Sequence, residues 1–293
     1  MASLTIFTPA FNRADLLPRA FEALLKQKNK DFIWLIVDDG STDATESVVK
    51  SFQQKPSGFL IKYIYKENGG LHTAYNTAIA NADTELCMCI DSDDWIAEDA
   101  VENILKCWKK IKRPDCAGIV GLDSRPDGPL ICRIKAKGYI NLIEYDLHHR
   151  WGGDRKLVVR TDLYRKVAPM PSFNGEKNFN PQYMHIEIAQ NYSFYVLNKP
   201  LCVVDYQETG MSAGIFKQYL NSPNSFAQYR RLKMSIRPNS IPNIARNAIH
   251  YDSSCILAGK PWEIVTRSPQ KIITIAMIPL GALLSIYIKY KAQ

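Results

Sequence analysis

Residues 87–95 read Cys-Met-Cys-Ile-Asp-Ser-Asp-Asp-Trp, an apolar run that stops at three carboxylates, Asp91, Asp93 and Asp94. The run has the character of a buried strand, and the acids fall where that strand leaves its sheet. Carboxylates packed this closely raise each other's pKa unless a cation sits among them. An oxygen-rich, sulfur-poor cluster suits Mg2+ or Mn2+ rather than zinc, and such ions are commonly held by one or two carboxylates plus a substrate phosphate. A solvated acidic turn capping a helix over 97–112 is the competing reading.

A second acidic turn favours a site. Phe32-Ile-Trp-Leu-Ile-Val37 is another apolar run, and it ends in Asp38-Asp39-Gly40-Ser41-Thr42-Asp43. Asp43 and Glu46 have the spacing of a capping box for a helix over 44–54, which leaves Asp38 and Asp39 unexplained. The first strand, Leu4-Thr-Ile-Phe-Thr8, runs into Pro9-Ala-Phe-Asn-Arg13. Leu17, Phe21, Leu24 and Leu25 follow it at helical spacing, and Val48, Val49 and Phe52 do the same after the second strand. A β-branched and aromatic run, 59–65, then precedes the turn and helix of Glu67-Asn-Gly-Gly-Leu-His-Thr-Ala-Tyr-Asn-Thr-Ala-Ile79. Strand and helix alternating in this order predict an α/β chain with a mostly parallel central sheet. Ligands of such sheets bind outside the carboxyl ends of the strands. Neither GxGxxG nor GxxxxGK[ST] lies near these turns, which argues against a dinucleotide or P-loop site.

Thr8-Pro9-Ala10-Phe11-Asn12-Arg13, Val37 to Asp43, Asn68-Gly69-Gly70 with Ala74 and Asn76, and Asp91-Ser92-Asp93-Asp94 resemble, in order and spacing, successive blocks of the family 2 glycosyltransferases. The resemblance covers about the first 125 residues. It implies a GT-A fold, a nucleotide-diphosphate sugar as donor, Mn2+ or Mg2+, and inversion at the anomeric carbon. Carried over by position, Thr8, Pro9 and Phe11 would line the nucleoside pocket, with Arg13, Asn68 and Ser92 in the same donor-binding blocks. Asp39 would accept a hydrogen bond from the base, most often uracil. Asp91 would lie by the ribose and Asp93 would hold the metal on the diphosphate. Tyr75 and Ala78 stand where many members carry Arg and Gly, so His72 becomes the candidate for an arginine's phosphate contact.

Glycosyl transfer also needs a base for the acceptor hydroxyl, usually a carboxylate. The family places it in an acidic pair that opens a helix. Here the corresponding stretch runs from Phe173 to Ala189, and a gap-free match back from Asp205-Tyr206 puts Gln182 at the expected acid. Glu176 is the first choice, followed by Glu187 and His185; Asp94 and Asp154 are further candidates. Because glutamine cannot act as a base, a non-catalytic nucleotide-sugar-binding protein stays open beside the enzyme, as does a nucleotidyltransferase on a similar fold. The latter would need a glycine-rich, lysine-containing loop that the first turns lack.

Charge and hydropathy set the surroundings. Of the net charge of +8, all falls after residue 225, where ten basic residues face only Asp252 and Glu263. The same tail carries an apolar segment, 272–288, flanked by Lys271, Lys289 and Lys291 and interrupted by Pro279 and Gly281. Seventeen residues is the lower limit for a span, so the expectation is a helical tail lying along an anionic membrane surface. A helix packed onto a soluble domain is the alternative. Nothing besides charge points to nucleic acid. The seven cysteines show no CxxC spacing, and with no signal-like N-terminus they suggest a reducing cytoplasm. His148-His149 and Gly152-Gly153-Asp154 read as surface or loop features. The expected organisation is a nucleotide-sugar half over 1–125, an acceptor half over 126–225 and a basic tail over 226–293. Such an enzyme would work peripherally on the inner face of the cell membrane, on a lipid-linked saccharide acceptor.

Overall fold

The computed structural model describes residues 2–148, 153–206 and 214–293; His149 and Gly152 lie outside that set. The first half alternates as its hydrophobic spacing predicts: β1 (Leu4–Ala10), α1 (Leu17–Lys26), β2 (Phe32–Asp38), α2 (Thr45–Gln53), β3 (Leu60–Tyr65), α3 (Leu71–Asn81) and β4 (Leu86–Cys89). The helices form because their apolar residues fall on one face. Leu17, Ala20, Phe21 and Leu24 of α1 are buried, and Phe21 stacks on Phe52 of α2 with ring centroids 4.3 Å apart. β1 is buried along its whole length, since β2 and β4 flank it and helices cover its faces.

After β5 (Trp95–Ile96) and α4 (Ala100–Trp108) come β6 (Cys116–Ser124), β7 (Gly138–Ile140), α5 (Leu142–His148), β8 (Arg155–Arg160), α6 (Thr161–Val167), α7 (Gln182–Ala189) and β9 (Ser193–Val203). The sheet runs β3-β2-β1-β4-β8-β6-β9-β5, with β7 on β9. β1 to β4 are mutually parallel, as expected. The rest is not: β8 lies between β4 and β6 antiparallel to both, and β5 and β7 each pair antiparallel to β9. The sheet is therefore mixed. What matters for a site is preserved, because β1, β2 and β4 still deliver their carboxyl ends to one edge.

The chain packs as two units. One comprises the described residues of 1–69, 73–169 and 187–207 and contains the sheet; the other comprises those of 70–72, 170–186 and 208–293. The second holds α8 (Ile215–Asn221), α9 (Pro223–Ser235), α10 (Ile241–Leu257), α11 (Glu263–Thr266) and α12 (Lys271–Ala292). Its core gathers Met234, Ile244, Ala248, Tyr251, Cys255 and Ile264, with Ile273, Met277 and Ile278 of α12 packed on them. α12 also buries Thr274, Gly281, Ser285 and Ile288, and a Cβ on Gly281 would lie 2.5 Å from that of Asp252.

Asp252 is fully buried, and neither of its oxygens has a hydrogen-bond partner. Burial pushes its carboxyl up to about 8. An unfolded aspartate ionises near pH 4, so between about pH 4 and pH 8 the folded chain binds the extra proton, and stability falls as pH rises through that window. The melting temperature should decline from pH 5 to pH 8, and Asp252→Asn should flatten the decline and raise the value at pH 8. An identical slope in the variant would show that Asp252 is not its source.

Candidate functional site

Three loops leave the carboxyl ends of β1, β2 and β4, and side chains tie them together. Asn12 takes a left-handed φ of 54°, which asparagine tolerates better than most residues. Its amide donates to Ser41 Oγ at 2.8 Å, and its Oδ1 accepts from the Thr42 amide at 2.8 Å. Asp43 accepts from the Ala14 amide at 3.1 Å and the Thr45 amide at 2.9 Å. The Glu46 half of the expected capping box does not form; Glu46 pairs with Lys50 at 2.6 Å instead. Arg13 joins the first loop to the third, its Nε donating to Ser92 Oγ at 3.0 Å.

The two acids at the end of β2 do different work. Asp38 is buried and accepts from the Ser41 amide and the Tyr63 hydroxyl, each at 2.7 Å, so it shapes the turn. Asp39 Oδ1 accepts from Lys66 Nζ at 2.6 Å and from the Gly69 amide at 3.0 Å. Asn68 Nδ2 donates to the Asp39 carbonyl at 2.7 Å. Gly40 has φ +81°, and a Cβ there would stand 2.7 Å from the Asn68 nitrogen, so glycine is required by conformation and by space. Of the three residues expected to line a nucleoside pocket, Phe11 is 45% exposed, while Thr8 and Pro9 are buried within β1. Thr8 Oγ1 accepts the Trp34 indole N–H at 3.0 Å. Both are engaged within the sheet.

In the third loop the Asp94 amide closes a turn on the Asp91 carbonyl at 3.0 Å. Asp91 is exposed, Ser92 and Asp94 are buried, and Asp93 lies between. Burial, and then the charge of Asp91, pushes the Asp93 carboxyl up. Burial also lifts Asp94, to about 7, against the pull of Lys156, whose Nζ is 3.9 Å from its Oδ2. The Asp205 amide donates to Asp94 Oδ1 at 3.2 Å. Arg19 of α1 grips the same loop: Nη1 meets Asp205 at 2.6 Å, Nη2 donates to the Asp93 carbonyl, and the guanidinium lies 4.2 Å from the Trp95 ring centroid.

Lys156 and Asp123 escaped the sequence reading. β6 pairs Gly121 with Lys156 of β8 and Asp123 with Cys202 of β9, which puts Lys156, Asp123 and Cys202 on one face of the sheet. The Lys156 side chain is only 12% exposed. Burial alone would push its ammonium down, yet Cys202, Asp123, Asp91 and Asp94 around it hold it well above the usual lysine range. Burial lifts Asp123 to about 6, against Lys156. Both Asp123 carboxyl oxygens are buried without a hydrogen-bond donor. A lone lysine in the strand Arg-Lys-Leu-Val-Val-Arg carries no sequence signal of this setting.

The residues fit a divalent ion in one mode. Among the described residues no three His, Cys, Asp or Glu side chains are placed to cage a metal. Asp93, with Asp91 beside it, offers the one or two carboxylates of a Mg2+ or Mn2+ site that substrate oxygens complete.

The remaining candidates fall out differently. His72 is fully buried with Nε2 3.1 Å from Ser172 Oγ, so it does not present a cation to a phosphate in solvent. Tyr75 is a core residue, edge-on to Phe7 at 4.9 Å. Glu176, 7% exposed, is committed to the start of α9. Its Oε1 accepts from the Asn224 amide at 2.8 Å and Asn224 Nδ2 at 2.7 Å; its Oε2 accepts from the Ser225 amide at 2.7 Å and the Ser225 hydroxyl at 2.6 Å. A carboxylate holding the unpaired N–H groups of a helix N-terminus is a cap, not a base poised for a hydroxyl. Glu187 accepts from Gln190 at 2.8 Å on its own helix face, Asp154 from the Tyr206 hydroxyl at 2.8 Å, and Gln182 from the Tyr229 hydroxyl at 2.9 Å.

Residues 5–129 match the model of the family described as Glycosyl transferase family 2. The glycosyltransferase GlyA of Streptococcus pneumoniae is 35% identical over 103 residues, which are 35% of this chain and 14% of that protein. The chondroitin synthase of Pasteurella multocida is 35% identical over 137 residues, 46% of this chain and again 14% of the relative. The chain thus matches only about a seventh of the length of either relative. In fold it is similar to residues 1–349 of Staphylococcus aureus TarS in complex with UDP-GlcNAc, with TM-score 0.62 at 17% identity over 99% of this chain and 88% of the other. It is also similar to the mannosyltransferase PcManGT of Pyrobaculum calidifontis in complex with GDP-Man and Mn2+, with TM-score 0.54 at 17% identity over 97% of this chain and 87% of the other. The fold is GT-A.

The cap assigned to Glu176 has a measurable consequence. Glu176→Gln should destabilise the protein by about 1.5–3 kcal/mol, the usual worth of hydrogen bonds to a charged group. The melting temperature reports it. An unchanged melting temperature would return the carboxylate to the list of free acids.

Proposed function

We propose, from the premise that the chain belongs to glycosyl transferase family 2 through its domain at residues 5–129, that it moves a sugar, with inversion, from a nucleotide-diphosphate sugar to a hydroxyl of a lipid-linked glycan. One observation carries this reading. The ends of three parallel strands gather Phe11, Asp39 and Asp91–Asp94 in loops locked to one another by Asn12, Arg13 and Asp43. UDP is the favoured carrier, since a TarS neighbour holds UDP-GlcNAc.

In this reading the exposed Phe11 ring lies against the base, Asp39 accepts from it, and Asp91 takes the ribose hydroxyls. Asp93 would hold Mg2+ or Mn2+, which when bound acts as a Lewis acid for the charge building on the departing diphosphate. The acceptor hydroxyl needs a base on the side of the sugar away from the diphosphate; Glu176 is bound to α9, and Asp94 is likewise buried, between the Asp205 amide and Lys156. A positioned base of this kind is worth about 10²–10⁴-fold in rate.

The tail is read as a membrane contact. α12 has 22 residues, about 33 Å of helix, more than the apolar segment alone suggested. By length and composition it could cross a bilayer. Its packing on α10 favours lying along the surface, with Ile272, Leu283, Ile286 and Tyr290 turned outward and three lysines at its ends.

Asp93→Asn should leave the fold intact, remove most UDP-sugar turnover, and abolish any rise in melting temperature on adding Mn2+ with UDP. Full turnover in the variant, or in excess chelator, would refute the metal role. For the tail, Leu283→Asn with Ile286→Asn changes only exposed positions. The pair should leave the melting temperature unchanged and sharply reduce flotation with phosphatidylserine vesicles. A lower melting temperature with undiminished flotation would mean that this face packs within the protein.

A further inference from the structure

The helical second unit carries a group of bases that no acid answers. We propose that Arg230, Arg246 and His250 form a binding site for a phosphoryl group, by which a phosphate-bearing acceptor is held. Its use for an acceptor rests on the reading of a lipid-linked substrate; the anion site itself does not.

Arg246 and His250 stand one turn apart on α10, a spacing that puts them on one helix face. Tyr219 of α8 stacks on the His250 ring, with centroids 5.9 Å apart. Arg230 of α9 joins them, its Nη2 donating to the Tyr219 hydroxyl at 3.0 Å and its Nη1 to Asn247 Oδ1 at 3.1 Å. These contacts fix the guanidinium without neutralising it. Arg230 Nε is buried without a partner, and so is His250 Nδ1.

Among the described residues no carboxylate pairs with either arginine. The three described acids of this unit are elsewhere: Glu176 caps α9, Glu263 pairs with Arg267 at 3.6 Å, and Asp252 lies against Gly281 of α12. Burial, and then the charges of Arg230 and Arg246, push the His250 imidazole down to about 4, with no acid opposing them. Lys156, by contrast, is surrounded by acids. A half-buried guanidinium without a counter-charge costs free energy that a bound anion recovers. Two guanidiniums and an imidazole also present more donors than the two oxygens of a carboxylate can take from separate directions, whereas a phosphoryl group offers three.

The position suits an acceptor. Arg230 lies 5.7 Å from the ring centroid of Tyr229, whose hydroxyl donates to Gln182, the place expected for the family's base. One turn before Tyr219 on α8, Phe216 meets Tyr287 of α12 edge-on at 5.6 Å. A phosphate held here would stand between the acceptor stretch and the helix read as meeting lipid, where the phosphate that joins a glycan to its lipid belongs.

The test is calorimetric titration of the full chain with inorganic phosphate, and with hexadecyl phosphate in neutral detergent, chelator being present so that no metal assists. Neither donor nor acceptor is added, so a failure of the transferase reading leaves the result untouched. Wild type should bind both. Arg246→Gln alters an exposed side chain; it should keep its melting temperature and bind both at least about tenfold more weakly, the scale of a lost hydrogen bond to a charged group. Arg246→Lys, which keeps the charge but not the planar fork, should fall between. Arg267→Gln removes an equal charge from the same unit and should change neither affinity. Hexadecyl phosphate binding at least tenfold more tightly than inorganic phosphate would mark a lipid-borne group; equal affinities would mark a free anion and overturn the use for an acceptor. No binding by wild type at millimolar phosphate would overturn the site, and so would unchanged binding in Arg246→Gln. An equal loss in Arg267→Gln would reduce it to diffuse charge.

Discussion

Six aspartates, Asp38, Asp39, Asp91, Asp93, Asp94 and Asp123, cluster at or near strand ends of a single sheet, and they cannot all be ionised there unless each is answered. The answer differs for each. Asp38 takes an amide and a phenol, and Asp39 takes Lys66 and an amide. Asp94 and Asp123 share one nearly buried lysine. Lys156 also acts on Asp91, and Arg13 and Arg19 oppose the rise of the Asp93 carboxyl. Burial keeps the Asp94 and Asp123 carboxyls raised even with that lysine beside them.

The first half was legible because its signals are local. A strand followed by an acidic or polar turn, then by an amphipathic helix, can be read within a dozen residues, and β1 to β4 followed that reading closely. What could not be read were the choices made by distant segments. Whether Asp38 or Asp39 faces a ligand depends on Tyr63, Lys66 and Gly69; whether Thr8 is available depends on Trp34. Glu176 had the better sequence claim than Asp94, yet the start of α9, 48 residues on, occupies its carboxylate. Lys156 is the clearest case. Nothing in its own strand marks it, and only the antiparallel insertion of β8 between β4 and β6, which the alternating pattern did not predict, brings it beneath the acids.

The tail shows the same limit in reverse. Hydropathy located the segment but could not say which side of it meets protein. In the fold, α12 buries Thr274, Gly281, Ser285 and Ile288, packs Ile273, Met277 and Ile278 on the core of its unit, and leaves Ile272, Leu283 and Ile286 outside. Two hydroxyls of the seam are satisfied locally, Thr274 donating to the Gln270 carbonyl at 2.8 Å and Ser285 to the Ala282 carbonyl at 2.7 Å, while Ser253 Oγ and both Asp252 oxygens are not. A helix facing water gains by the opposite arrangement, with its aliphatic face against the core. Exposed Ile272, Leu283, Ile286 and Tyr290 would cost free energy in water and recover it in the outer layer of a bilayer, where terminal lysines and tyrosines also find their preferred depth. The small inner face then has its own reason: close approach to α10 through Gly281 holds the helix to its unit by packing, without using the apolar side chains that the lipid surface would take.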